Sequence, residues 1–180
     1  MLPIAYMLTT ERLVLRRQTE ADLPFIFDAS QVPGFTDGMR WSPPETIAEL
    51  QPALALARRV WEDGSAYVFM IERSTDAQRV GRIVIRQTTE ASTWDLGFWT
   101  HPAHQGRGYG TEAAHAMIAF GFEVLHAEAL TASYVVNNAA SRRVLEKLGF
   151  QPYRVQDRAF EKDDRWVTTH EMRCYAPTTP

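Results

Sequence analysis

The segment Gln105-Gly106-Arg107-Gly108-Tyr109-Gly110-Thr111 constrains this chain more than any other. It follows a strand-like run, Trp94 to Thr100, and opens a helix-like run from Glu112 to His126. Three glycines in five positions remove the Cβ atoms that would hold a ligand off the backbone. The N–H groups of such a turn converge on one point, and the positive end of the following helix adds to them. The pattern predicts a seat for a phosphate or pyrophosphate.

Three loop patterns compete for that role. The Walker loop needs Gly, four residues and then Gly-Lys-Ser/Thr, and no such string is present. The dinucleotide fingerprint needs Gly-x-Gly-x-x-Gly, which Gly106, Gly108 and Gly110 do not meet, and no convincing acidic residue follows about 20 positions on. The third pattern, Gln/Arg-x-x-Gly-x-Gly/Ala, is met by Gln105, Gly108 and Gly110. A second landmark runs from Asn138-Ala139-Ala140-Ser141 to Lys147-Leu148-Gly149-Phe150. A third is Leu8-Thr9-Thr10-Glu11-Arg12-Leu13-Val14-Leu15-Arg16. In order and spacing these strings resemble the GNAT superfamily, the GCN5-related N-acetyltransferases. The N-terminal string resembles the branch that acetylates the N-termini of ribosomal proteins. The resemblance spans residues 8 to 175, nearly the whole chain.

Composition bounds the alternatives. A chain of 180 residues with 45% apolar content is expected to be one domain over residues 1–180, with frayed ends at 1–7 and 176–180. The net charge of −3, without a basic run, speaks against nucleic acid as the partner. The single cysteine, Cys174, allows no internal disulfide and suits a cytoplasmic location. No run approaches a membrane span, and residues Met1 to Met7 lack the layout of a signal peptide.

Periodicity supplies the elements. Strands are expected at Arg12–Arg16, Ala66–Ile71, Val80–Arg86, Trp94–Thr100, Ala129–Val135, Val155–Phe160 and Trp166–Tyr175. Helices are expected at Leu23–Ala29, from the Ser42-Pro43-Pro44-Glu45 capping box toward Trp61 with a kink or break at Pro52, at Glu112–His126, and before Gly149. The class is α+β. The resemblance implies a GNAT fold: a mixed, mostly antiparallel sheet of about seven strands with about four helices, whose splayed central strands bind acetyl-CoA.

The resemblance also implies the chemistry. Acetyl-CoA would be the acyl-donor cosubstrate, with no metal, and transfer to the amine would be direct, leaving Cys174 without a role. Gln105, Gly106, Arg107, Gly108, Tyr109, Gly110 and Thr111 would hold the pyrophosphate. The backbone of Phe98-Trp99-Thr100, splayed at a bulge, would pair with the pantetheine arm, and Asn138 and Ser141 would complete the cofactor contacts. Asp95 is the candidate base, or else binds the incoming ammonium or caps its strand; Glu161 is its rival. Many relatives carry Tyr seven residues after the Asn, where this chain has Leu145, so Ser141 is the candidate donor to the leaving sulfur, or else only a helix cap. Arg40 and Trp41 would border the acceptor. His101 and His104 are expected on a solvent-facing loop. The implied reaction moves an acetyl group to a primary amine, first of all a protein N-terminal α-amine. A small amino acid, polyamine or aminoglycoside is the alternative acceptor, and a non-catalytic acyl-CoA-binding module the alternative of another class. A homodimer is an expectation of the resemblance; membrane and nucleic-acid partners are not.

Overall fold

The computed structural model describes residues 2–177. Alternation is the rule that builds its sheet. In β4 (Arg79–Gln87), Ile83 and Ile85 point to one face while Arg82, Val84 and Arg86 point to the other. In β5 (Thr93–Thr100), Trp94, Leu96 and Phe98 share the first face, leaving Asp95, Gly97 and Trp99 on the second. The full set of strands adds β1 (Met7–Thr9), β2 (Leu13–Arg17), β3 (Ala66–Arg73), β6 (Ala129–Val135), β7 (Gln151–Lys162) and β8 (Arg165–Tyr175). They form one eight-stranded sheet in the order β1-β2-β3-β4-β5-β6-β8-β7, antiparallel throughout except for β5 against β6.

Four α-helices cover it. Helix α3 (Tyr109–Glu123) lays Ala113, Ala114, Met117 and Phe120 on the first face, against Leu13, Leu15, Phe69, Ile83 and Ile85. Gly121 is required there, because a Cβ would stand 3.0 Å from Leu130. Helix α4 (Ala139–Lys147) adds Leu145, and Gly149 at φ +84° turns Phe150 back so that its N–H bonds the Leu145 carbonyl at 3.1 Å. Helices α1 (Leu23–Gln31) and α2 (Gln51–Asp63) contribute Leu23, Ile26 and Leu54 to a second, smaller core around Met70.

Several expectations need correction. At Pro52 the helical path changes rather than kinks: a 3-10 turn over Ile47–Leu50 gives way to α2 at Gln51, and Pro52 sits in the first turn, where a missing N–H costs nothing. The capping box is Thr46 with Glu49 rather than Ser42 with Glu45. Of the start expected to fray at 1–7, Met1 lies outside the described residues, while Tyr6 and Met7 are tied down: β1 pairs with β2, and the Tyr6 ring lies 5.6 Å from that of Phe120. Residues 178–180 of the expected frayed tail lie outside the described residues, while Ala176 still donates to the Glu128 carbonyl.

A buried ionic knot ties α1 to the sheet. The Asp22 carboxylate has no exposed surface and receives Arg16 at 2.7 and 2.9 Å, Arg79 at 2.6 Å and the Thr19 N–H at 2.7 Å. Arg16 also pairs with Glu72. Burial works to raise the Asp22 pKa, but the bonds from Arg16 and Arg79 outweigh it and hold it at about 2. A depressed carboxyl contributes stability above its unfolded value, and the contribution is lost as pH falls through the folded value. In denaturant titrations the parent protein is expected to lose about 2 kcal/mol between about pH 4 and pH 2 through this group. Asp22→Asn leaves Arg79 without a carboxylate and Arg16 with Glu72 alone, so it is expected to cost about 3 kcal/mol at pH 7 and to lack that acid step. Gly81→Ala is expected to cost about 3 kcal/mol in the same assay. Its new Cβ would lie 2.3 Å from the Trp99 carbonyl oxygen, which is backbone of the neighbouring strand and has no room to yield.

Candidate functional site

The site begins where two parallel strands part. β5 and β6 pair only at Thr93–Ala129, Trp94–Leu130 and Asp95–Thr131. Beyond Asp95, β5 stays in regular register with β4 as far as Thr100, so its opposite edge has no strand partner. The expected bulge is absent from β5; the opening arises because pairing with β6 simply stops. Two clefts reach this wedge, and both are lined by Phe98, Trp99 and Met39.

One cleft, about 720 Å³, runs from the wedge to the glycine-rich loop. Gly106 and Gly108 have φ of +75° and +81°, a conformation that favours glycine. Gly110 meets a different need: a Cβ there would stand 3.0 Å from the Thr100 hydroxyl. The first helical bond of α3 runs from Glu112 N–H to Gly108 carbonyl. Among the described residues, the N–H groups of Gly106 through Thr111 have no acceptor. They are the free positive end of a 15-residue helix. Arg143 and Lys147 of α4 stand on the opposite wall, and none of the lining residues is acidic. Free amides, a helix dipole and two cations match a polyphosphate, and the bare edge of β5 matches an extended arm. The cleft fits acetyl-CoA.

The loop is clamped from the N-terminal strands. Glu112 receives the Thr10 hydroxyl at 2.6 Å, the Arg12 N–H at 2.9 Å and the Arg12 guanidinium at 2.6 Å. Burial works against Glu112, but these bonds hold its carboxyl below the ordinary range. Arg12 also reaches the Arg107 carbonyl at 3.2 Å and lies over the Tyr109 ring. The Thr10-Glu11-Arg12 string is thus the strap of the phosphate loop.

The second cleft, about 620 Å³, opens on the other side of the wedge. α2 forms one wall with Leu56, Ala57 and Val60; Ser133, Tyr134 and Val135 of β6 with Gln156 and Phe160 of β7 form the other. Arg82, Val84 and Arg86 make its floor, and Gly38 to Trp41 its cover. Lys162 fastens that cover by donating to the carbonyls of Thr36, Met39 and Trp41. Arg40 lies 5.1 Å over the Phe160 ring. Trp99 closes the inner end, stacked on Phe25 and edge-on to Phe35.

The residues named from sequence separate into groups. Phe98, Trp99, Thr100, Gln105, Gly106, Gly108, Tyr109, Gly110, Thr111, Asn138 and Ser141 all line the first cleft, and Arg40 and Trp41 the second. Arg107 lines neither and gives its carbonyl to Arg12. Gln105 donates its side-chain amide to the Thr100 carbonyl at 3.2 Å. Asn138 caps α4, accepting the Ser141 N–H at 3.0 Å, and Ser141 itself lines the cleft. Asp95 is held by Arg86 at 2.7 Å and by the Thr131 hydroxyl at 3.3 Å, and lines neither cleft. Glu161 is exposed and away from both. Leu145 is core, 1% exposed. The histidines are not solvent-facing: His101 is buried against Asp28 at 2.9 Å, and His104 faces the first cleft with its pKa lowered by burial. Burial pushes the Cys174 thiol up to about 12, which leaves it inert. Arg82, Arg143 and Lys147 received no site role from sequence, since only the fold turns them into the clefts. Among the described residues no group of three or more His, Cys, Asp or Glu could hold a metal, and no helix is long and apolar enough to cross a membrane.

Comparison with known proteins fits this geometry. The Acetyltransferase (GNAT) domain family matches residues 12–151. A search of curated proteins finds no match. Among solved structures, the chain is similar to Mycobacterium smegmatis RimJ in complex with CoA-disulfide, at 19% identity and a TM-score of 0.83 over 93% of this chain and 84% of that one. It is similar to RimL, a ribosomal alpha-N-protein acetyltransferase in complex with coenzyme A, at 14% identity and a TM-score of 0.85 over 94% and 98%. It is also similar to a spermidine N-acetyltransferase SpeG chimera from Vibrio cholerae and hSSAT, at 20% identity and a TM-score of 0.77 over 91% and 95%. The matched domain covers most of the chain, which therefore belongs to the GNAT family of acetyltransferases.

Proposed function

We propose that this acetyltransferase modifies a protein N-terminal α-amine, taking the acetyl group directly from acetyl-CoA. The carrying observation is the acceptor cleft. Its lining has no acidic residue and three arginines, so it offers nothing to a polyamine. Its rim residues Leu56, Arg86 and Gln87 are exposed, so the cleft opens outward and leaves room for a chain continuing beyond the amine.

Acetyl-CoA supplies the activated acetyl as a thioester. The amides of Gly106 to Thr111 bind its pyrophosphate, with Arg143 and Lys147 balancing phosphate charge. The free edge of β5 aligns the pantetheine arm, and a β5 N–H polarises the carbonyl that becomes the oxyanion. The Ser141 hydroxyl donates to the departing sulfur. Asp95, with both carboxylate oxygens engaged, positions Arg86 and the last β5–β6 pair, and the ammonium loses its proton to water in the outward-opening cleft.

Thiol release from acetyl-CoA is the deciding assay, run against peptides, amino acids, polyamines and aminoglycosides. Peptides with free N-termini are expected to turn over, and Nα-blocked peptides bearing lysine are not. Turnover confined to polyamines or aminoglycosides would overturn the acceptor. Acetyl-CoA binding without turnover of any amine would leave a binding module instead. Ser141→Ala is expected to lower kcat about 100-fold with acetyl-CoA affinity retained. Arg143→Ala or Lys147→Ala is expected to raise KM for acetyl-CoA about 5-fold at unchanged kcat. Asp95→Asn is expected to lower activity less than about 10-fold; a 100-fold loss in a folded variant, with the basic limb of its pH profile abolished, would make Asp95 the base.

A further inference from the structure

The floor of the acceptor cleft holds a charge that nothing in the fold explains. Arg82 is partly buried in the floor of the cleft, with its Nε sealed from solvent. Its Nε has no hydrogen-bond partner among the described residues, and it belongs to no ion pair there. Burial and the neighbouring Arg86 lower its pKa to about 10, so it remains charged at neutral pH. A partly buried guanidinium without a carboxylate partner has given up part of its hydration with no ion pair in return. Two further arginines face the same space. Arg86 is neutralised by Asp95, but Arg40 has only the face of Phe160. With no acidic residue in the lining, the cleft is a positive basin with one unanswered donor at its base.

The register says where a partner would sit. Arg82 pairs across the strands with Trp99, the residue at the meeting point of the two clefts. Directly opposed side chains stand about 5 Å apart. An anion on Arg82 is therefore only one or two residues away from an amine at the wedge. Guanidinium presents a planar fork of donors, which matches a carboxylate.

We propose that Arg82 is a specificity residue that binds a carboxylate carried by the acceptor next to its reactive amine: an acidic side chain at the first or second position of the peptide. This rests on the second cleft being the acceptor site. The same carboxylate chemistry is present in a free dicarboxylic amino acid, so the test includes both sources.

The experiment compares Ser-Glu, Ser-Gln and Ser-Lys N-terminal peptides, with free aspartate and glutamate alongside. The readouts are kcat/KM and, with coenzyme A bound, calorimetric affinity for the acetylated peptides. The parent protein is expected to favour Glu over Gln about 10-fold and to reject Lys further. Arg82→Gln is expected to bind acetyl-CoA normally and to lose the Glu preference. Arg82→Lys is expected to recover only part of it, since an ammonium lacks the fork. Removing a lone, partly buried charge is also expected to leave Tm unchanged or raise it by about 2–4 °C, the opposite of a structural arginine. Preference for free dicarboxylic acids over every peptide would keep the role of Arg82 and overturn the peptide acceptor. Equal handling of Glu and Gln, no binding by any member of the set, or an unchanged preference in Arg82→Gln would overturn the proposal.

Discussion

Everything functional here depends on two strands that stop pairing. Parallel neighbours β5 and β6 share only three residue pairs before they diverge. A sheet normally closes such a gap, since an unpaired row of backbone groups is costly to bury and hazardous to expose. This fold instead leaves the row facing a cleft that an extended ligand can fill. The strands are held together at the base by core side chains such as Leu130 and Ile85 around Gly121. They are held apart at the top because α4 and its loop occupy one side of the wedge and the Gly38–Trp41 cover the other. Trp99 marks the point where the donor and acceptor spaces touch.

The supports of this wedge are polar and long-range. Thr10 and Arg12 hold the start of α3 from about a hundred residues away in sequence, which fixes the free amides of the glycine-rich loop. Asp22 locks the start of α1 to β2 and β4, and α1 then delivers Phe25 and Asp28 to Trp99 and His101. Lys162 fixes the acceptor cover through three carbonyls. In each case a charged group is satisfied several-fold, which confers geometry as much as stability. Arg82 is the exception, and that contrast gives it meaning. The fold takes care to answer Arg16, Arg79 and Arg173 with carboxylates, but leaves this one open to the acceptor cleft.

Much of this was legible in the chain. Period-two patterning predicted the strand over Val80–Arg86, and the glycine spacing predicted the turn of free amides ahead of α3. Gly149 and Phe150 behaved as the helix-stop pattern requires. The failures have local causes. Pro52 pointed to a kink or break, but which of them, and the 3-10 turn before it, depend on Thr46 rather than Ser42 making the capping box. His101 read as solvent-facing because its partner Asp28 lies 73 residues away. The engagement of Asp95 by Arg86 and Thr131 was equally invisible, because both partners come from neighbouring strands.

The sequence by itself determined the elements, the family resemblance and which residues line the cleft beside the glycine-rich loop. These rest on short-range patterns: period-two and helical burial, glycines at fixed offsets, a capping asparagine. Only the tertiary structure decided which charges face which cleft. Arg143 and Lys147 turn toward the phosphate seat and Arg82 toward the acceptor, while Arg16 and Arg79 are spent on Asp22. Electrostatic roles depend on which partners lie within a few ångströms, and those distances are set by strands brought together from distant parts of the chain.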